Sequence, residues 1–125
     1  MDDHQRRHAL CVIRMIKAYG LIAKMLMGLP LRIQLPEVGD SIYADEIRKG
    51  LVRAYALLKD IPMDADIAWQ LGLMIIDWVT ACEWLFADDE DAEPWLLDAV
   101  EIQIGRIVAG ADVVNERLAR DIDPE

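Results

Sequence analysis

Residues 65–86 read ADIAWQLGLMIIDWVTACEWLF and contain three of the four tryptophans of the chain. Projected on a helix, the stretch is apolar on nearly every side, and its polar strip of Asp66, Gln70 and Asp77 is narrow. A helix of this kind has to be covered by other parts of a protein or by a partner. We therefore expect residues 65–86 to form the centre of the core.

Three further segments have the apolar spacing of amphipathic helices, at about residues 4–27, 41–60 and 95–119. Their expected core faces are Cys11, Met15, Tyr19, Ile22 and Leu26 in the first, Ile47, Leu51, Ala54 and Leu58 in the second, and Leu97, Val100, Ile104, Ile107, Val108, Ala111, Val114 and Leu118 in the third. Together with 65–86 they predict a single all-α domain over residues 1–125, a four-helix, mainly antiparallel bundle. An alternative that keeps the same helices is a dimer in which two chains share them.

The segments between these helices differ in character. The longest connection, 29–40, joins the first two helices, and its Leu31, Ile33 and Leu35 alternate with polar residues as in a strand. Since a lone strand is unstable, we expect an extended segment that caps one end of the bundle, and the alternative is an exposed edge that recruits another chain. The loop at 87–94 is acidic, and the tail at 121–125 is expected to fray.

Charge is unevenly distributed along the chain. The net charge is −10, with about +3 in residues 1–60 and −13 in residues 61–125. Nucleic-acid phosphates repel such a protein, so we expect no direct nucleic-acid binding. The acidic half suits a basic protein partner instead, although charge of this kind can also serve solubility alone. The candidate partner-binding acids are Asp88, Asp89, Glu90, Asp91 and Glu93 in the loop and Asp98, Glu101, Asp112 and Glu116 on the last helix.

Two acids in the most apolar window, Asp77 and Glu83, make a membrane span a poor interpretation. The N-terminus mixes acids with bases and does not resemble a signal peptide. The two cysteines, Cys11 and Cys82, lie among apolar neighbours in helical patterns, where we expect reduced, buried thiols. These features together predict a cytoplasmic protein that does not associate with membranes.

No catalytic, cofactor or metal motif stands out. His4 and His8 are one helical turn apart, but only Asp2 and Asp3 are close enough in sequence to add ligands, so no metal site is predicted. The carboxylate pattern Glu-x-x-His of di-metal bundles is missing, and the only serine, Ser41, is placed to cap the second helix. We therefore expect no enzyme activity and no cofactor.

Apolar residues remain outside the expected core. Four helices seldom cover every side of one of their members, so part of 65–86 and a second apolar stripe on the last helix should stay uncovered in a monomer. Exposed aromatic residues of this kind often anchor interfaces. We expect a homodimer, and the candidate self-association residues are Leu73, Trp84, Trp95, Ile102 and Val113.

Glu83 is the acid that we expect to be partly buried. It projects onto the small-residue side of 65–86, near Gly72 and Ile76. A buried carboxylate needs a cation, a hydrogen bond or a proton. An ion pair with a base of the first helix, such as Arg14, is the purely structural interpretation.

Two functional hypotheses follow. The first is a non-enzymatic, self-associating interaction module whose acidic surface engages a basic partner. A sharper version is an inhibitor whose carboxylates imitate nucleic-acid phosphates, since small phage and plasmid inhibitors, including anti-CRISPR proteins, share this general acidic character. The second is a small ligand-binding or enzymatic bundle that uses Glu83 as an acid of raised pKa in a tryptophan-lined pocket.

Overall fold

The computed structural model describes residues 2–122 and contains four α-helices. They are α1 (Asp3–Met27), α2 (Asp45–Leu57), α3 (Ala65–Ala87) and α4 (Trp95–Ile122), and a 3₁₀ turn (Leu58–Asp60) extends α2. No strand occurs in residues 2–122, and the predicted all-α four-helix bundle is confirmed.

α3 and α4 form an antiparallel pair. Near one end, the rings of Trp84 and Trp95 lie 6.1 Å apart. Near the other end, Arg117 Nη2 lies 3.4 Å from Asp64 Oδ1, just before α3 begins. The core face predicted for α4 is buried except at Val108, which is exposed, and at Leu118, which is half-buried. α4 also includes residues 121 and 122, and the remainder of the expected frayed tail lies outside the described residues.

α1 packs against the same central helix and is also antiparallel to it. The indole N–H of Trp78 donates to the carbonyl of Met15 over 2.8 Å, and the Tyr19 ring lies 5.4 Å from the Trp78 ring. The face predicted for α1 is buried throughout: Cys11, Met15, Tyr19, Ile22 and Leu26. α3 is therefore the centre of the core, as its sequence indicated.

α2 begins at Asp45, four residues later than predicted. The Ser41 hydroxyl accepts a hydrogen bond from the N–H of Tyr43 over 3.0 Å, which holds this segment in a turn. The N-cap residue of α2 is Ala44, and no side chain caps the helix, so the predicted capping role of Ser41 is wrong.

α2 lies antiparallel to α3. Its Tyr55 ring packs on Gly72, where an added Cβ would lie 3.2 Å from Tyr55 Cε2. At the other end, Arg48 pairs with Glu83. α1 and α2 thus run in the same direction, and the connection between them crosses from one end of the bundle to the other.

This connection is extended and packs on the core. Ile33 and Leu35 are buried, and the Ile33 N–H donates to the carbonyl of Leu26 over 3.1 Å. The Tyr19 hydroxyl donates to the carbonyl of Pro36 over 2.5 Å. Further along, the Ile42 carbonyl accepts a hydrogen bond from Cys82, and Tyr43 packs on Phe86 near the end of α3. The segment therefore runs along the bundle, so the expectation that it caps one end is wrong, and Leu31 stays exposed.

By length and composition alone, α3 is the one helix of the described chain that could cross a membrane. Half of its most apolar 18-residue window, 50%, is buried inside the protein. The core helix of a soluble protein passes the same test, so the apolar character of α3 agrees with its central position.

Candidate functional site

The outward side of α3 carries large apolar residues that no other helix covers. Trp69 is 67% exposed and Ile76 is 46% exposed. Leu73 and Trp84 follow on the same side and are half-buried. α2 and α4 flank this side without contacting each other across it. An open apolar strip therefore runs along α3.

α4 continues this strip. Ile102 is 64% exposed, and Trp95 and Val113 are also exposed. The two helices meet at both ends of the strip, because Trp84 contacts Trp95 edge to face and Trp69 lines one groove with Val113. The combined surface is named the apolar face and consists of Trp69, Leu73, Ile76, Trp84, Trp95, Ile102 and Val113. It contains all five predicted self-association residues and adds Trp69 and Ile76.

Charges along the α3 part of the apolar face balance. Arg106 Nε lies 3.3 Å from Asp77 Oδ2, and Arg117 Nη2 lies 3.3 Å from Asp66 Oδ2. Four cations and four carboxylates border this part: Arg48, Lys59, Arg106 and Arg117 with Asp64, Asp66, Asp77 and Glu83. The surface is thus locally neutral on a chain of net charge −10.

Asp88 was expected among the partner-binding acids of the loop at 87–94, but it is buried. Its side chain is 1% exposed and is held by both histidines, with His8 Nδ1 at 2.7 Å and His4 Nε2 at 2.9 Å from Asp88 Oδ2. A carboxylate only accepts hydrogen bonds, so each imidazole donates. α1 therefore joins the end of α3 through Asp88, and this acid is removed from the partner-binding set.

The acids of α4 are also partly used within the chain. Arg7 of α1 pairs with Asp98, and its Nε donates to Glu101 over 2.8 Å. The Arg7 hydrogen bond lowers the pKa of Glu101. The remaining predicted acids are exposed: Asp89, Glu90, Asp91, Glu93, Asp112 and Glu116. The acidic surface is therefore smaller than predicted and centres on the loop before α4.

Glu83 is not buried, which corrects the expectation for this residue. Its side chain is 52% exposed, and its Oε1 lies 2.7 Å from Arg48 Nη1. The expected cation is present, but it comes from α2 instead of α1. Because α2 is short and begins beside the end of α3, it leaves Glu83 at an open edge.

Asp77 is the buried carboxylate of α3, and only 7% of the residue is exposed. α4 covers the part of the polar strip that contains Asp77, whereas Asp66 on the same strip stays exposed. Desolvation raises the pKa of Asp77, while Arg106 acts in the opposite direction. The burial of Asp77 had a signal in the sequence, because this acid lies on a polar strip that is too narrow for an exposed helix. Arg106 on the facing helix is its cation.

A cavity of about 290 Å³ lies between the turn before α2 and the second half of α3. Its walls include Tyr43, Trp78, Cys82 and Phe86, with Arg48 and Glu83 also lining it. The Tyr43 and Phe86 rings pack edge to face, 5.1 Å apart. The tryptophan-lined pocket of the second hypothesis thus exists in outline, with one tryptophan and with an exposed, ion-paired Glu83.

Neither cysteine has the environment of a nucleophile. Cys11 is buried, and desolvation raises the pKa of its thiol. Cys82 is half-buried, its Sγ donates to the Ile42 carbonyl over 3.6 Å, and desolvation raises its pKa to about 11. Reactive cysteines instead have lowered pKa values.

The geometry thus offers an apolar face, an acidic loop and one small cavity. No family model, curated protein or solved structure matches this chain, so these three features alone carry the functional argument.

Proposed function

We propose that this protein is a non-enzymatic interaction module that self-associates through the apolar face and offers its acidic loop to a basic protein partner. The observation that carries the proposal is the continuity of the apolar face. Single exposed apolar residues are ordinary, whereas a contiguous patch with several aromatic residues is typical of an interface. Tryptophan is among the residues that contribute most binding energy at such sites.

Sedimentation velocity tests self-association over about 1 µM to 1 mM protein. The wild-type chain is expected to shift from monomer to dimer, and Ile76→Asp is expected to weaken the dimer at least about tenfold, because a charge in an apolar interface is costly. Ile13→Asp is the matched control, since Ile13 is exposed to a similar degree, 50%, on α1 outside the apolar face. A wild-type monomer throughout this range would overturn the self-association proposal.

The acidic loop supports the second part of the proposal. Asp89, Glu90, Asp91 and Glu93 are exposed near the end of α3, and only Asp89 caps a local turn by accepting from the Asp91 N–H over 2.8 Å. A dense group of exposed carboxylates attracts basic surfaces and accelerates their association. The nucleic-acid-mimic version additionally expects that duplex DNA competes for the same basic partner.

Binding of a lysine-rich peptide, measured by fluorescence anisotropy, tests the loop. Glu90→Gln, Asp91→Asn and Glu93→Gln combined are expected to weaken binding several-fold more than a matched triple variant with changes at three other exposed acids, Glu37, Asp40 and Asp60. Both triple variants remove the same charge, so an equal loss would mean that only net charge matters. Such a result would remove the loop from the proposal.

The cavity beside Trp78 favours a second candidate function, which is binding of a small aromatic molecule. The probe is 4-methylphenol, and the readout is the NMR signal of the Trp78 indole N–H. Val79→Phe, which fills the cavity, is expected to abolish the shift. Glu83→Gln separates the hypotheses, because weaker binding with an unchanged melting temperature supports a ligand site and lower stability alone supports a structural ion pair with Arg48.

A further inference from the structure

α3 carries two apolar seams. The inward seam packs against α1 and α4. The outward seam consists of Trp69, Leu73, Ile76, Thr80 and Trp84, at steps of four, three, four and four residues. The steps average 3.75 residues, close to the 3.6 residues of one helical turn, so the five side chains form one stripe along α3 on which a second helix can pack. The occupant that fits the outward seam is therefore another helix.

The outward seam is nearly symmetric about its midpoint between Ile76 and Asp77. Trp69 and Trp84 lie equally far from this midpoint, as do Leu73 and Thr80. In a two-fold interface the same patch serves both copies, so a residue on one side of the axis contacts its symmetric counterpart in the partner. A seam of this symmetry matches an antiparallel copy of itself.

Charge also favours a second copy at this position. Two chains of net charge −10 repel each other, and the repulsion is smallest where the local charge is zero. The α3 part of the apolar face has this property, because its bordering cations and carboxylates balance. The acids Asp98 and Asp112 lie instead on a more distant side of α4.

The acidic loops favour antiparallel over parallel pairing of the two α3 helices. Each loop follows the end of α3, so parallel pairing would place two loops of four exposed carboxylates side by side. Antiparallel pairing separates them by roughly the length of α3, about 34 Å for its 23 residues. That separation is several times the screening length of about 8 Å at physiological ionic strength.

We propose that a second copy of this chain occupies the outward seam, with the two α3 helices packed antiparallel so that Trp69 of each copy contacts the partner's Trp84. The inference rests on the proposed self-association and names its geometry. The resulting dimer displays one acidic loop at each end, which lets it engage two basic sites at once.

A charge-pair experiment tests this geometry. Antiparallel pairing places Leu73 opposite the partner's Thr80, whereas parallel pairing places each residue opposite its own copy. Leu73→Glu and Thr80→Lys are each expected to weaken the dimer, by about tenfold for Leu73→Glu. The double variant is expected to dimerise at least about threefold more tightly than Leu73→Glu alone, because both introduced charges then face opposite charges.

Each outcome has one meaning. A double variant weaker than both single variants indicates parallel pairing and overturns the inference. If the wild type, the two single variants and the double variant all dimerise equally well, the interface lies elsewhere. That result overturns the inference but leaves self-association intact. A wild-type monomer overturns both. Circular dichroism at low concentration checks that the variants fold, and the reversed pair Leu73→Lys with Thr80→Glu must give the same pattern.

Discussion

The two faces of α3 differ in what covers them. Trp78, on the inward face, is buried, hydrogen-bonded to α1 and packed on Tyr19. Trp69, nine residues earlier on the outward face, is mostly exposed. The same residue type in the same helix therefore serves the core in one place and a surface in the other. Whether a residue holds the monomer together depends on which neighbours the fold brings to it.

The largest expected effect comes from the two tryptophans. Trp78→Ala removes a buried ring and its indole hydrogen bond to the Met15 carbonyl, so we expect a loss of about 3–5 kcal/mol in the free energy of unfolding. Trp69→Ala should change monomer stability by about 1 kcal/mol or less and should weaken the dimer instead. Urea unfolding at low concentration measures the first quantity and sedimentation the second. Equal destabilisation would contradict the distinction between the faces.

Asp88 and Asp91 extend the comparison to charged residues. Asp88→Asn leaves two histidine donors facing a neutral amide in a buried site, and we expect a loss of about 1–3 kcal/mol. Asp91 is exposed in the same loop, and Asp91→Asn should change stability by about 0.5 kcal/mol or less. Thermal unfolding of both variants in one buffer tests the pair. A stable Asp88→Asn chain would mean that the histidine contacts contribute little.

Two glycines of α4 test the contrast between a packed and an open position without changing charge. An added methyl at Gly110 would lie 2.5 Å from Gln70 Nε2 and 3.1 Å from Cγ of the buried Met74, whereas nothing lies within 4 Å at Gly105. Gly110→Ala is expected to destabilise the protein by about 1 kcal/mol, because the buried Met74 side chain must shift to admit the methyl group, whereas the end of Gln70 can move aside. Gly105→Ala should stabilise it by up to about 1 kcal/mol through helix propensity. Opposite shifts in urea midpoint are the expected observation.

The smallest expected effect concerns the pH dependence of Asp77. Burial raises its pKa, so the folded state holds this proton more tightly than the unfolded chain does. Ionisation of Asp77 therefore reduces stability as the pH rises from below its unfolded pKa, about 3.9, to above its folded pKa. Because asparagine does not ionise, Asp77→Asn avoids this loss. Its free energy of unfolding should rise by about 1 kcal/mol or less relative to wild type as the pH increases across that range.

Urea unfolding at several pH values between about 3 and 7 measures the effect of Asp77→Asn. Asp112→Asn, on the exposed side of α4, is the control and should follow the wild-type pH profile. A difference between Asp77→Asn and wild type that stays constant over this range would contradict the burial argument. The outward face has no acid buried to this degree in the described residues.

Helical periodicity predicted the core well where one helix packs on its neighbours over its full length. The five residues expected on the inner face of α1 are all buried, as are Ile47, Leu51, Ala54 and Leu58 of α2 and its 3₁₀ turn. Prediction failed where burial depends on how far a neighbouring helix extends. Glu83 is exposed at the open edge of α2, and Val108 is exposed on α4.

The candidate site was predicted in part. The five residues expected to self-associate lie on one continuous surface, but their contact at Trp84 and Trp95 depends on the antiparallel arrangement of α3 and α4. The loop acids were predicted as a group, and Asp88 left it because two histidines distant in sequence reach it. Nothing within the loop itself distinguishes Asp88 from Asp89.

The sequence by itself determined the four helices, the apolar character of α3 and the acidity of the second half, because helical periodicity and charge are properties of neighbouring residues. The tertiary structure alone decided that α1 and α2 run in the same direction, that Asp77 and Asp88 are buried, and that Trp69 and Ile76 join the apolar face. These outcomes depend on contacts between residues far apart in the chain. Side chains are buried or exposed according to which helices pack against each other, and the local spacing of residues does not specify that packing.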